Sequence, residues 1–182
     1  MINRRRFLHL GAAAATTATS LLATRAAHAA VVSHQVPRSL ELYNLHTGES
    51  VKTVYWANGK YVGHSLSQIN HLMRDYRTDQ THIINPAVLD LLHALQARLG
   101  TRQPFQIVSG YRSPQTNAML ASSTDGVAAH SLHMAGKAVD IRIPGVSVAH
   151  LTKAALSLRA GGVGSYPQSD FVHVDVGPLR RW

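Results

Sequence analysis

Apolar and polar positions alternate over residues 39–45 and 51–56, and the polar connection His46-Thr47-Gly48-Glu49 separates the two stretches. Period-two alternation turns one face of each stretch inward, and a short Gly-containing link between two such stretches predicts a β-hairpin. The period then changes. Over residues 65–76, Leu66, Ile69, Leu72, Met73 and Tyr76 recur at intervals of three and four, which predicts an amphipathic helix. A second helix follows Pro86, carries Val88, Leu89, Leu92, Leu95 and Leu99 on one stripe, and stops at Gly100. Further along, the pattern predicts strands over residues 105–109, 138–143 and 171–176 and a third helix over 148–159. Helices gather early and strands late without regular βαβ alternation, so the expected class is α+β, a small and mostly antiparallel sheet flanked by helices.

Composition narrows the chemistry. With 45% hydrophobic and 15% charged residues, the 182-residue chain has enough apolar side chain to bury a core, which excludes wholesale disorder. It has no cysteine, which rules out disulfides, thiolate catalysis, Cys-ligated zinc and a lipidated Cys tether; any metal must be held by nitrogen and oxygen. The net charge of +9 is inflated by the first 29 residues, which contain Arg4, Arg5, Arg6 and Arg25 and no acid, leaving 14 bases against 9 acids. No cluster of Lys and Arg with interleaved aromatics follows, so nucleic acid is not expected as a partner.

The opening residues read as an address. Asn3-Arg4-Arg5-Arg6-Phe7-Leu8 resembles a twin-arginine export signal, an Ala-rich apolar stretch follows over residues 10–23, and Ala27-His28-Ala29 is a small-x-small cleavage site. Thr16, Thr17, Thr19 and Ser20 interrupt the stretch and make it marginal for spanning a bilayer. Residues 1–29 are therefore expected to be a signal peptide. Residues 30–182 would form a single domain in the periplasm or cell envelope, a monomer with no stable membrane anchor.

The most informative segment is Ser131-Leu132-His133-Met134-Ala135-Gly136-Lys137-Ala138-Val139-Asp140. A separation of seven puts His133 and Asp140 on opposite faces of a continuous strand, whereas a turn at Ala135-Gly136 brings both to one edge. In Asp170-Phe171-Val172-His173-Val174-Asp175, His173 and Asp175 share a strand face. His133, Asp140 and His173 together supply two imidazoles and one carboxylate, the ligand set of a catalytic zinc with a position open for water. The plainer reading is ordinary histidines, since a chance pair is easy to find among 12.

These residues resemble the zinc D-alanyl-D-alanine peptidases and their relatives, which share a fold with the hedgehog signalling domain. The motif S-x-H-x-x-G-x-A-x-D with a later metal-binding His is matched by Ser131, His133, Gly136, Ala138, Asp140 and His173. Residues 44–50, Ser109-Gly110-Tyr111-Arg112-Ser113, residues 159–164 and Phe171-Val172-His173 look like the murein endopeptidase K branch of that family. The resemblance implies Zn2+ held by His133, Asp140 and His173, and Arg112 pointing into the cleft, where it offers two donors to a developing oxyanion. It implies peptidoglycan stem peptides as substrate, hydrolysed at their cross-links by a metal-activated water whose proton passes to a carboxylate.

For that proton acceptor, Asp170, three residues before His173, is preferred over Asp175, which is given a supporting role at a ligand. Arg112 has a structural alternative, an ion pair with Asp140 or Asp125, and His130 is either a loop residue, a fourth ligand or a substrate contact. Two further functions fit the same residues: a D,D-carboxypeptidase trimming terminal D-Ala, and a non-catalytic, hedgehog-like zinc-binding cell-wall module.

Overall fold

The computed structural model describes residues 36–123 and 128–182, so the expected signal peptide and Asp125 lie outside the described residues. The hairpin forms as β1 (Arg38–Asn44) and β2 (Ser50–Ala57), extended by the two-residue β3 (Lys60–Tyr61). Helix α1 (Gly63–Leu72) ends four residues before the apolar pattern does. Its continuation is diverted because the Met73 carbonyl accepts the Tyr111 N–H at 2.7 Å and Asp75 pairs by backbone with Gln80. Helix α2 (Pro86–Leu99) has both expected ends: the Asn85 side chain accepts from Ala87 N at 3.0 Å, and Gly100 takes the left-handed conformation.

Strand β4 (Phe105–Ser109) leads into α3 (Pro114–Ser123), a helix that hydrophobic periodicity does not reveal because its buried positions are Thr116 and Asn117. Strand β5 (Ala138–Arg142), α4 (Val148–Leu158), β6 (Gly162–Tyr166), β7 (Phe171–Asp175) and the two-residue β8 (Arg180–Arg181) complete the chain.

One eight-stranded sheet runs in the order β3-β2-β1-β4-β5-β7-β6-β8. The class is α+β as expected, but the sheet is larger than expected and mixed rather than uniformly antiparallel: β1 with β4 and β6 with β8 are parallel, beside five antiparallel pairings. The first of these is possible because α1 and α2 intervene between β1 and β4, giving the chain room to return in the same direction. Strand faces divide the labour. Val139 and Ile141 of β5 and Val172 and Val174 of β7 are buried in the core with Leu42, Phe105, Ile107, Leu92 and Leu151. The alternate residues Asp140, His173 and Asp175 stand on the opposite face of those two strands.

Candidate metal centre

Register builds the site. Antiparallel pairing sets Asp140 of β5 directly across from His173 of β7 and Ala138 across from Asp175, so both charged groups of β7 share a face with Asp140. His133 arrives from a 3-10 turn, Leu132–Ala135, whose start is capped by the Ser131 hydroxyl accepting His133 N at 3.3 Å. Gly136 closes that turn at φ +63°, with its backbone against the Ile83 carbonyl, where a Cβ would overlap. The glycine thus performs the reversal that the seven-residue spacing requires.

The three donors converge. His133 Nε2 lies 3.1 Å from His173 Nδ1 and 3.3 Å from Asp140 Oδ1, and His173 Nδ1 lies 2.8 Å from the same oxygen. The opposite edge of each ring is already committed. His133 Nδ1 is 2.7 Å from the Gly110 carbonyl, which can only accept, and His173 Nε2 is 3.0 Å from the Asp175 carboxylate. His133 therefore carries its proton on Nδ1 and turns a bare Nε2 lone pair inward, whereas both nitrogens of His173 face carboxylates, Nδ1 toward Asp140 and Nε2 toward Asp175. His133, Asp140 and His173 thus form a buried group whose ligand atoms all lie within 4.8 Å of one another and could hold a metal ion. Donors at zinc bonding distance around a tetrahedral centre stand about 3.3 Å apart, so the residues fit such an ion.

Burial would raise the Asp140 pKa, but His133 and His173 outweigh it and hold the carboxyl well below the usual range. For His173 burial favours the neutral ring, yet Asp140 and Asp175 prevail and raise its pKa. Asp175 is fully buried; burial acts to raise its pKa, and His173 with the Gly162 and Gly177 N–H groups brings it down to about 2. Arg180 adds a contact at 2.7 Å.

Arg112 sits in the turn after β4, anchored on both sides by Tyr111 N–H to Met73 O at 2.7 Å and Ser113 N–H to the buried Asp75 carboxylate at 2.8 Å. Its guanidinium lines a cleft of about 670 Å³ together with His133, Asp140 and His173. Nη2 is 3.7 Å from Asp140, and the buried Nε has no hydrogen-bond partner among the described residues. His130 also lines the cleft but is not in the donor cluster. Asp170 is not brought to the cluster: it is exposed, follows a 3-10 turn at φ +54°, and pairs with Arg142 at 3.1 Å. Sequence reasoning missed Asp75, which carries no local signal, and Trp182, whose ring centroid lies 5.2 Å from that of His173.

The family described as "Peptidoglycan L,D-endopeptidase MepK" matches residues 32–182. Among curated proteins, the peptidoglycan L,D-endopeptidase MepK of Escherichia coli (strain K12) is 47% identical over 180 residues, covering 99% of this chain and 97% of the relative. The probable peptidoglycan L,D-endopeptidase MepK of Haemophilus influenzae is 40% identical over 181 residues, covering 99% and 95%. No solved structure matches significantly.

Proposed function

Since the chain belongs to the peptidoglycan L,D-endopeptidase MepK family of peptidases, we propose that it is a zinc-dependent endopeptidase that hydrolyses an internal L,D amide in peptidoglycan cross-links. The observation that carries this reading is the buried cluster of His133, Asp140 and His173, two imidazoles and one carboxylate with ligand atoms within 4.8 Å of one another, at the wall of an open cleft. His133, Asp140 and His173 hold the metal. When bound, zinc supplies an acidified water and polarises the substrate carbonyl.

The chain's own groups do the rest. Gly110 O and Asp175 fix the tautomers and ring planes of the two imidazoles. Arg112 directs guanidinium N–H groups toward the carbonyl oxygen as it gains negative charge. Asp175 has both oxygens engaged and no access to solvent, so it orients His173 rather than accepting a proton from water. The acceptor is Asp170. Ser169 and Phe171 on either side of it line the cleft, its exposed pair with Arg142 costs at most about 1 kcal/mol to break, and the role requires the carboxylate to leave that pair and turn toward the three donors.

The D,D-carboxypeptidase alternative is disfavoured by relatives named for internal L,D cleavage, and a non-catalytic module leaves the cleft-facing Arg112 without a purpose. In this reading residues 1–29 are a twin-arginine signal, and residues 30–182 act as a monomer in the periplasm. The test is digestion of purified sacculi with the metal-loaded protein, with and without chelator, the products resolved by mass. Chelator-sensitive release of fragments cut at an L,D cross-link is expected. Loss of terminal D-Ala alone, or release unaffected by chelator, contradicts the proposal.

A further inference from the structure

The edge of the sheet beside the metal centre ends in an exposed indole that is held still by contacts on several sides. Trp182 is 50% exposed, yet its backbone is locked onto β6 by Trp182 N to Val163 O at 3.2 Å and Ser165 N to Trp182 O at 3.0 Å. Its Nε1–H donates to the Tyr166 hydroxyl at 2.7 Å, and the Arg180 guanidinium stands 5.1 Å over the ring. Gly164 provides the seat: a Cβ there would meet indole atoms at 2.6–2.8 Å. The ring lines the same cleft as the three donors, and beside it Tyr166 stacks on Phe171 with centroids 4.5 Å apart.

Core burial does not explain this arrangement, because Trp182 remains half exposed. An apolar surface whose order is fixed in advance loses little further freedom when a ligand covers it, which is the property of a preformed binding face. We propose that Trp182, backed by Tyr166 and Phe171, is a substrate subsite that takes the apolar side chain or methylene run of the stem-peptide residue next to the scissile amide. The proposal rests on the endopeptidase reading above. A peptide fits better than a sugar because the ring is 5.2 Å from a metal-ligand imidazole, the position of residues adjoining the cleaved bond. Arg180 is not the receptor here, since its guanidinium is engaged by both Asp175 oxygens and the Pro178 carbonyl.

The chain's two tryptophans make the subsite directly observable. In full-length Trp56→Phe, emission comes from Trp182 alone, and a glycan-free cross-linked peptide titrated into the chelated protein should shift that emission saturably. In the metal-loaded enzyme, Trp182→Ala should raise KM about tenfold, as loss of a central aromatic contact does, with kcat changed less than about twofold and zinc content unchanged. Trp182→Phe should recover most of that loss. Gly164→Ala, which displaces the ring without removing it, should raise KM in the same direction and covers the case in which Trp182→Ala fails to fold. A wild-type KM in folded Trp182→Ala overturns the subsite and leaves the endopeptidase reading intact. So does an emission response to a chito-oligosaccharide but not to the peptide. If loaded wild-type protein does not cut the peptide, the endopeptidase reading fails. The titration then decides the subsite alone: a saturable peptide shift supports it, and no shift overturns it.

Discussion

At the scale of residues, the account turns on what each polar group near the cleft can still do once its neighbours are counted. Arg112 has a buried Nε without a partner and only a 3.7 Å approach to Asp140, so among the described residues most of its donor capacity is unspent. Arg112→Lys should keep zinc and lose about 10²–10³ in kcat, because one ammonium does not reproduce the planar two-donor fork. Unchanged turnover of a cross-linked peptide, measured beside metal content, would remove Arg112 from the reaction. The two carboxylates of the last strand region should separate in the opposite way. Asp175→Asn weakens acceptance from His173 and should lower zinc affinity about 10–100-fold. Asp170→Asn should retain zinc and lose turnover together with the acidic limb of the pH profile, since that limb records protonation of the acceptor. Wild-type activity in Asp170→Asn contradicts the assignment.

At the scale of elements, the parts of the fold that were legible are those where periodicity and end signals coincide. The hairpin, α2 with its Asn85 cap and Gly100 stop, β4 and α4 all form close to the expected bounds. Two elements were hidden for physical reasons. Helix α3 buries Thr116 and Asn117 and so has no apolar stripe, and β6, Gly-Val-Gly-Ser-Tyr, shows no alternation of side chains because its two glycines make room for the Asp175, Arg180 and Trp182 side chains. The donor set was readable because the Gly136 turn leaves a local mark; the brace behind Arg112 was not, because Asp75 and Ser113 meet across 38 positions. That brace is testable. Asp75→Ala strands the buried Ser113 N–H and should lower stability at neutral pH by about 1–3 kcal/mol in denaturant titration. Burial acts to raise the Asp75 pKa, but hydrogen bonds from Ser113, Thr116 and Arg77 leave it below the usual 3.8. A carboxyl lowered on folding contributes fully above its unfolded pKa and loses that contribution as pH falls through its folded pKa. The gap between wild type and Asp75→Ala should thus be constant near neutrality and narrow below about pH 4. A gap that widens in acid, or none at pH 7, contradicts the brace.

At the scale of the whole molecule, one sheet serves two purposes through the alternation of its strands. The apolar residues of β5 and β7 anchor the core, so the polar residues between them are presented on a rigid surface without costing the core a position. Because the site draws on β5, β7 and the 3-10 turn, with the turn after β4 bracing His133, it exists only in the folded chain, and zinc should stabilise the fold by linkage. The most direct test is elemental analysis of the purified wild-type protein and of His133→Ala, Asp140→Ala and His173→Ala, each checked for folding by circular dichroism. About one zinc per wild-type chain, and loss of the ion in every folded variant, is the predicted result, since a three-ligand site has no redundancy. Full zinc in the three variants, or a wild-type chain that takes up none, would contradict the metal centre and with it the proposed chemistry.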